Sequence, residues 1–144
     1  MAQKPSERSI IEFAQAVGRL VRRARAAGEA NGLSWTESSV LSGLAKRGPM
    51  TTAELARGEG MKPQSMGTVA AGLLKLGLIA REPHATDGRR VNLVLTAQGA
   101  ALQKSSSATK RAWITERFLE LSEDEQQALF AAGKLIARLT EDAE

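Results

Sequence analysis

Apolar residues recur at helical spacing over 7–28, where Ile10, Phe13, Ala14, Val17, Leu20, Val21 and Ala24 share one face. Gly28, Asn31 and Gly32 then signal a stop. Ser34-x-x-Glu37 has the form of a capping box and predicts a second helix from about Trp35. Val40, Leu41, Leu44 and Ala45 give that helix its apolar side, and Gly48-Pro49 ends it. Thr51-x-x-Glu54 is a similar box and opens a short helix, Thr52 to about Arg57, closed by Gly58 and Gly60. Pro63 stands where the first residue of a fourth helix belongs, because its fixed φ and missing N–H suit that position. This helix carries Met66, Val69, Ala70, Leu73 and Leu74 on one side and runs to about Leu76, with Gly77 as its stop.

The period then changes from helical to alternating. Ile79 to Glu82 is a short strand candidate, and Pro83 to Gly88 is a turn-rich tip. From Val91 the chain alternates, with Val91, Leu93 and Leu95 on one face and Asn92, Val94 and Thr96 on the other. Residues 97–119 read as a long helix with a small, polar middle at Ser105–Ser107. A third box, Ser122-x-x-Glu125, opens a last helix lined by Leu129, Phe130, Gly133, Ile136 and Ala137. The order is therefore four helices, two strands and two helices: a mainly α fold with a small two- or three-stranded β wing.

Three short helices followed by a hairpin form a winged helix-turn-helix, in which the second helix of the turn enters a major groove and the hairpin reaches the flanking minor groove. The wing tip is Asp87-Gly88-Arg89-Arg90, and the strand after it ends Leu95-Thr96-x-x-Gly99. Here the chain strongly resembles the MarR family of transcriptional regulators, whose wing has a D-x-R tip leading to a strand that ends L-T-x-x-G. The preceding stretch, from Glu54-Leu55-Ala56 through Leu73 to Gly77-Leu78-Ile79-Ala80-Arg81, fits the same family, and the match is clearest over 51–99. The resemblance implies a winged helix-turn-helix lobe over 34–99 and helical dimerisation segments at 1–33 and 100–144, together one continuous compact domain. It implies a homodimer whose recognition helices lie about 34 Å apart, matching two half-sites of a pseudo-palindrome. It also implies repression as the commoner mode, and release by small aromatic or phenolic anions.

Candidate DNA contacts follow from chemistry at these positions. The fourth helix begins Lys62-Pro63-Gln64-Ser65-Met66-Gly67-Thr68, and a helix N-terminus offers free N–H groups and positive potential to phosphate. Gln64, Ser65 and Thr68 can hydrogen-bond to bases or phosphates, and Gly67 allows close approach. Lys62 stands where a Ser or Thr cap is common, so a cap bond is exchanged for a phosphate-seeking charge. Glu59 occupies a position usually apolar. Thr51 and Thr52 are candidates for phosphate contact as well as for capping. Arg89 suits a narrow, strongly negative minor groove, Arg90 suits a phosphate, and the resemblance implies that Asp87 holds Arg89 by a charge-assisted bond.

Composition narrows the classes. The chain has 144 residues, net charge +4, no cysteine and one histidine, His84. Disulfides, thiolate sites and a multi-histidine metal site within one chain are excluded, and no cofactor is expected. Phe13, Trp35, Trp113, Phe118 and Phe130 are the only aromatics, too few for a single-strand stacking platform, and the two tryptophans are expected in the core. Arg19, Arg22, Arg23 and Arg25 are expected to form a solvated face. No apolar run spans a bilayer and the polar start is not followed by an apolar signal segment, so a cytoplasmic protein without a membrane partner is expected. No nucleophile–base pair or phosphate-binding glycine loop points to an enzyme. The rival reading is a winged-helix protein-interaction module without sequence-specific DNA binding, which leaves the Asp87–Arg90 tip without a role.

Overall fold

The computed structural model describes residues 3–29 and 32–141, so Asn31 lies outside the described residues. The elements are α1 (Glu7–Gly28), α2 (Trp35–Arg47), α3 (Thr52–Gly58), α4 (Pro63–Lys75), β1 (Ile79–Pro83), β2 (Val91–Leu95), α5 (Ala97–Leu119) and α6 (Glu123–Thr140). By contact they form two compact units, Met1–Lys110 and Arg111–Glu144. Among the described residues no helix is long and apolar enough to cross a membrane.

Helix ends follow local chemistry. Ser34 and Ser122 each cap their helix reciprocally with Glu37 and Glu125, so two orphan donors are satisfied at each start. The Thr51 box is half-formed: its hydroxyl accepts the Glu54 N–H at 3.2 Å, with no return bond from the Glu54 side chain. Pro63 sits at the start of α4 as its geometry requires, and Lys62 before it makes no side-chain cap. α3 and α4 both end in Schellman motifs. Met61 N–H reaches the Ala56 carbonyl and Gly60 N–H the Arg57 carbonyl; Leu78 and Gly77 do the same with Leu73 and Leu74. The motif needs a left-handed residue, and Gly60 (φ 62°) and Gly77 (φ 73°) supply it.

The core of the first unit joins α2, α3, α4 and the base of the wing. Val40, Leu41, Leu44, Leu55, Met66, Leu73, Ile79 and Leu93 are its buried centre. β1 and β2 pair antiparallel, with Ile79 opposite Leu95 and Pro83 opposite Val91. Met50 adds a single antiparallel bridge to Leu93, exchanging both main-chain hydrogen bonds at 3.2 and 2.8 Å. The wing is thus a two-stranded sheet with one bridging residue from a third segment. Its alternation is only partly expressed as burial, with Leu93 buried and Val91 exposed, because the hairpin runs out beyond the helices that cover its base.

The Leu95-Thr96-x-x-Gly99 segment ties the wing to α5. Thr96 Oγ1 donates to the Gly77 carbonyl at 2.7 Å and accepts the Gly99 N–H at 3.1 Å, while the Thr96 N–H bonds to the Leu78 carbonyl. The threonine therefore caps α5 and holds the end of α4 with one hydroxyl.

The second unit holds the end of α5 and all of α6. Phe118 stacks on Phe130 with centroids 5.1 Å apart, and Gln126 donates to the Phe118 and Leu121 carbonyls that close the turn between the helices.

Candidate nucleic-acid interface

The turn between α3 and α4 aims the first turn of α4 outward. Met66 and Ala70 are buried beneath it, and Gln64, Ser65 and Thr68 are exposed. No atom lies within 4 Å of where a Cβ would stand on Gly67, so this half-buried glycine opens onto free space. Thr52 is half-buried at the start of α3. Thr51 is buried, 7% exposed, and its hydroxyl oxygen accepts the Glu54 N–H as a helix cap. Glu59, unexpected at its position, is reached by a 2.6 Å hydrogen bond from the Ser39 hydroxyl of α2. A charged acceptor with a hydroxyl partner is well satisfied there.

At the wing tip Arg89 and Arg90 are both exposed. Asp87 acts on Arg89 through the backbone: its Oδ1 accepts the Arg89 main-chain N–H at 3.0 Å. The charge-assisted bond from Asp87 to Arg89 thus runs to the main chain and not to the guanidinium. Two residues of separation bring the main-chain N–H within reach of a short carboxylate, the geometry of an Asx turn, and the guanidinium remains available. Two further bonds close the tip, His84 N–H to the Arg90 carbonyl and Arg90 N–H to the Asp87 carbonyl. The His84 ring, which composition brought in only to exclude a metal site, also belongs to this network.

A second polar feature lies where α1, α2 and the middle of α5 meet. Leu33, Ser38, Leu41, Ser42, Gln103, Ser106, Ser107 and Lys110 line a cavity of about 50 Å³. The small residues of α5 serve both this space and close packing, since a Cβ on Gly28 would stand 3.2 Å from the Ser106 carbonyl. Beside it, the Arg25 guanidinium covers the Trp35 ring in a cleft that Lys110 and Ser38 also line. Trp35 is 40% exposed and Trp113 half-buried, so neither tryptophan is a core residue. Trp35 is the first residue of α2, where the core does not reach. Arg25 in turn departs from the solvated face expected of the α1 arginines. Its Nε is buried without a hydrogen-bond partner.

Comparison with known proteins places this geometry. Residues 31–90 match the model of the MarR family. The chain is 35% identical over 132 residues, 92% of each chain, to the uncharacterized HTH-type transcriptional regulator ML2140 of Mycobacterium leprae. Among solved structures, a transcriptional regulator from Pseudomonas aeruginosa superposes with a TM-score of 0.82 at 26% identity, over 96% of this chain and 100% of that one. The Mycobacterium tuberculosis MarR family protein Rv2887, solved in complex with salicylic acid, superposes with a TM-score of 0.66 at 29% identity, over 94% and 99%. With its three-helix core, hairpin wing and these relatives, the chain belongs to the MarR family of winged helix-turn-helix transcriptional regulators, DNA-binding proteins and not enzymes.

Proposed function

We propose that the chain represses transcription from the cytoplasm by binding a pseudo-palindromic operator as a homodimer, and that a small aromatic anion releases it. The observation that carries this reading is the pairing, on one unit, of an uncapped and exposed α4 start with a wing tip whose Arg89 and Arg90 stand free. Gln64, Ser65 and Thr68 read or anchor in the major groove, Lys62 and the α4 amides hold phosphate, and Arg89 enters the minor groove. The dimer is supported by apolar side chains left open on the outer helices: Ile10, Phe13, Leu20 and Val21 on α1, and Leu129, Phe130, Leu135 and Leu139 on α6. Such contiguous faces on a water-soluble regulator mark an interface.

The release reading is supported by the Arg25–Trp35 cleft, where a buried guanidinium donor lacks an acceptor beside an indole face and Lys110. A carboxylate would satisfy Arg25, and a ring would stack on Trp35. That cleft holds about 30 Å³, well under the roughly 150 Å³ that accepts a benzene. Entry of a ring therefore requires Arg25 to lift from Trp35, and the bound shape differs from the empty one.

The test is selection of sites from random duplex DNA, followed by titration at several salt concentrations with wild type and Arg89→Ala. A recovered pseudo-palindrome, with affinity falling steeply with salt and weakened by Arg89→Ala, is the expected result. No enriched site, with weak binding indifferent to Arg89, favours the protein-interaction module.

A further inference from the structure

The wing tip holds one group that neither the fold nor the DNA contacts account for. His84 is half-buried at the end of β1, and its Nδ1 accepts two main-chain N–H groups, from Thr86 at 3.3 Å and Asp87 at 3.2 Å. The Thr86 hydroxyl lies 3.4 Å from the same nitrogen. Among the described residues these two amides make no other hydrogen bond, while Asp87 Oδ1 is turned to the Arg89 N–H and the Asp87 carbonyl to Arg90. The ring and the carboxylate thus divide the loop: the imidazole folds 84–87, and Asp87 folds 87–90.

We propose that His84 is a positioning residue of the wing, whose unprotonated Nδ1 gathers the Thr86 and Asp87 amides and so sets the loop that presents Arg89 and Arg90 to DNA. The inference rests on the wing's part in DNA binding given above. An imidazole accepting at Nδ1 carries its proton on Nε2. A second proton turns Nδ1 into a donor facing two donors, and the fold of 84–87 loses its centre. The charged groups of the hairpin that carries the ring are Arg81 and Glu82 on β1 and Asp87, Arg89 and Arg90 on the tip. A positive imidazole added to this cationic tip would favour phosphate, an effect opposite in sign to loss of the loop. The direction of the pH response therefore separates a positioning acceptor from a simple cationic contact.

The experiment has two arms on the full chain. In the first, long-range nitrogen–proton spectra of the free protein at pH 8 assign the ring tautomer; Nε2–H is expected, and Nδ1–H overturns the proposal without reference to DNA. In the second, affinity for the selected operator is measured for wild type, His84→Ala, His84→Asn and Arg89→Ala at fixed salt, from pH 8 to pH 6. His84→Ala weakens binding about tenfold, the loss that about 1.4 kcal/mol of misplaced contact produces. Asn places Oδ1 where Nδ1 stood, so His84→Asn recovers to within about twofold of wild type. Wild-type affinity falls as pH is lowered and that of His84→Asn does not. Wild-type affinity that rises on acidification, or an Asn variant as weak as Ala, overturns the proposal. If His84→Ala alone binds as wild type, the positioning role fails. If Arg89→Ala does so too, the wing reading fails and takes this inference with it.

Discussion

Gly99 packs so closely on Leu78 that a Cβ built on residue 99 would fall within the Leu78 carbonyl group. The first turn of α5 can lie there only as bare backbone, with Thr96 bonded on one side to the end of α4 and on the other to the Gly99 amide. Gly99→Ala must push backbone against backbone, and overpacking of that kind costs about 1–3 kcal/mol. Urea unfolding should place Gly99→Ala at least about 2 kcal/mol below wild type, whereas an unchanged midpoint would contradict this packing.

Two glycines on α4 allow stability and affinity to be separated. Gly67 and Gly72 both have open space where a Cβ would stand, and glycine inside a helix costs about 1 kcal/mol relative to alanine. Gly67→Ala and Gly72→Ala should each raise the thermal midpoint. Only Gly67→Ala, at the exposed start of the helix, should weaken operator binding, by about fivefold. Equal affinities for the two variants would show that DNA does not come close to Gly67.

Asp87 offers a test of how the wing tip is held. Because its carboxylate binds a main-chain N–H rather than a guanidinium, Asp87→Asn keeps the acceptor and should bind the operator nearly as wild type. Asp87→Ala removes it and should bind about fivefold more weakly, the effect of one lost hydrogen bond of about 1 kcal/mol. An asparagine variant as impaired as alanine would point to a charge pair formed on DNA.

Dimerisation can be probed on side chains that the single chain leaves open. Ile10 and Leu135 are 52% and 55% exposed, so Ile10→Glu and Leu135→Glu should leave helicity by circular dichroism intact. Sedimentation equilibrium should show them shifted to monomer, with operator affinity lost in parallel. A variant that remains dimeric would remove its helix from the interface.

Arg25→Ala isolates the effector reading. On the release reading proposed above, a small aromatic anion such as salicylate, the ligand of the Rv2887 complex, should quench tryptophan emission in the wild type and dissociate the operator complex. Without the guanidinium, its apparent Kd should rise about tenfold, consistent with loss of a charge-assisted pair. Operator affinity in the absence of salicylate should stay the same. An unaltered salicylate response would move the effector to another site.

What could be read from the residues is what local chemistry decides. Ser34, Ser122, Pro63 and Gly77 announce helix ends through bonds within a few positions, and α2, α4 and β2 show their period directly. The hydroxyl of Thr96 and the bareness of Gly99 were visible only as a pattern, since the groups they meet, the Gly77 carbonyl and the Leu78 main chain, stand far along the chain from them. Glu59 looked out of place because its partner, Ser39, lies on another helix. Trp35 left the core because Arg25, ten residues back on α1, reached over it. His84 carried no signal at all: a ring nitrogen that accepts two loop amides has no periodicity and no motif.

The double hydrogen bond between Met50 and Leu93 has a mechanical meaning. The segment that leads into α3 is stitched to the middle of β2, and the same core holds α3, α4 and the base of the wing, so the helix pair and the wing share a common root. On the function proposed above, a signal reaching this lobe would move the start of α4 and the wing together. It would carry the lobe as a single piece, changing where the reading head stands and not its shape, while the tip over 84–90 is held by bonds of its own.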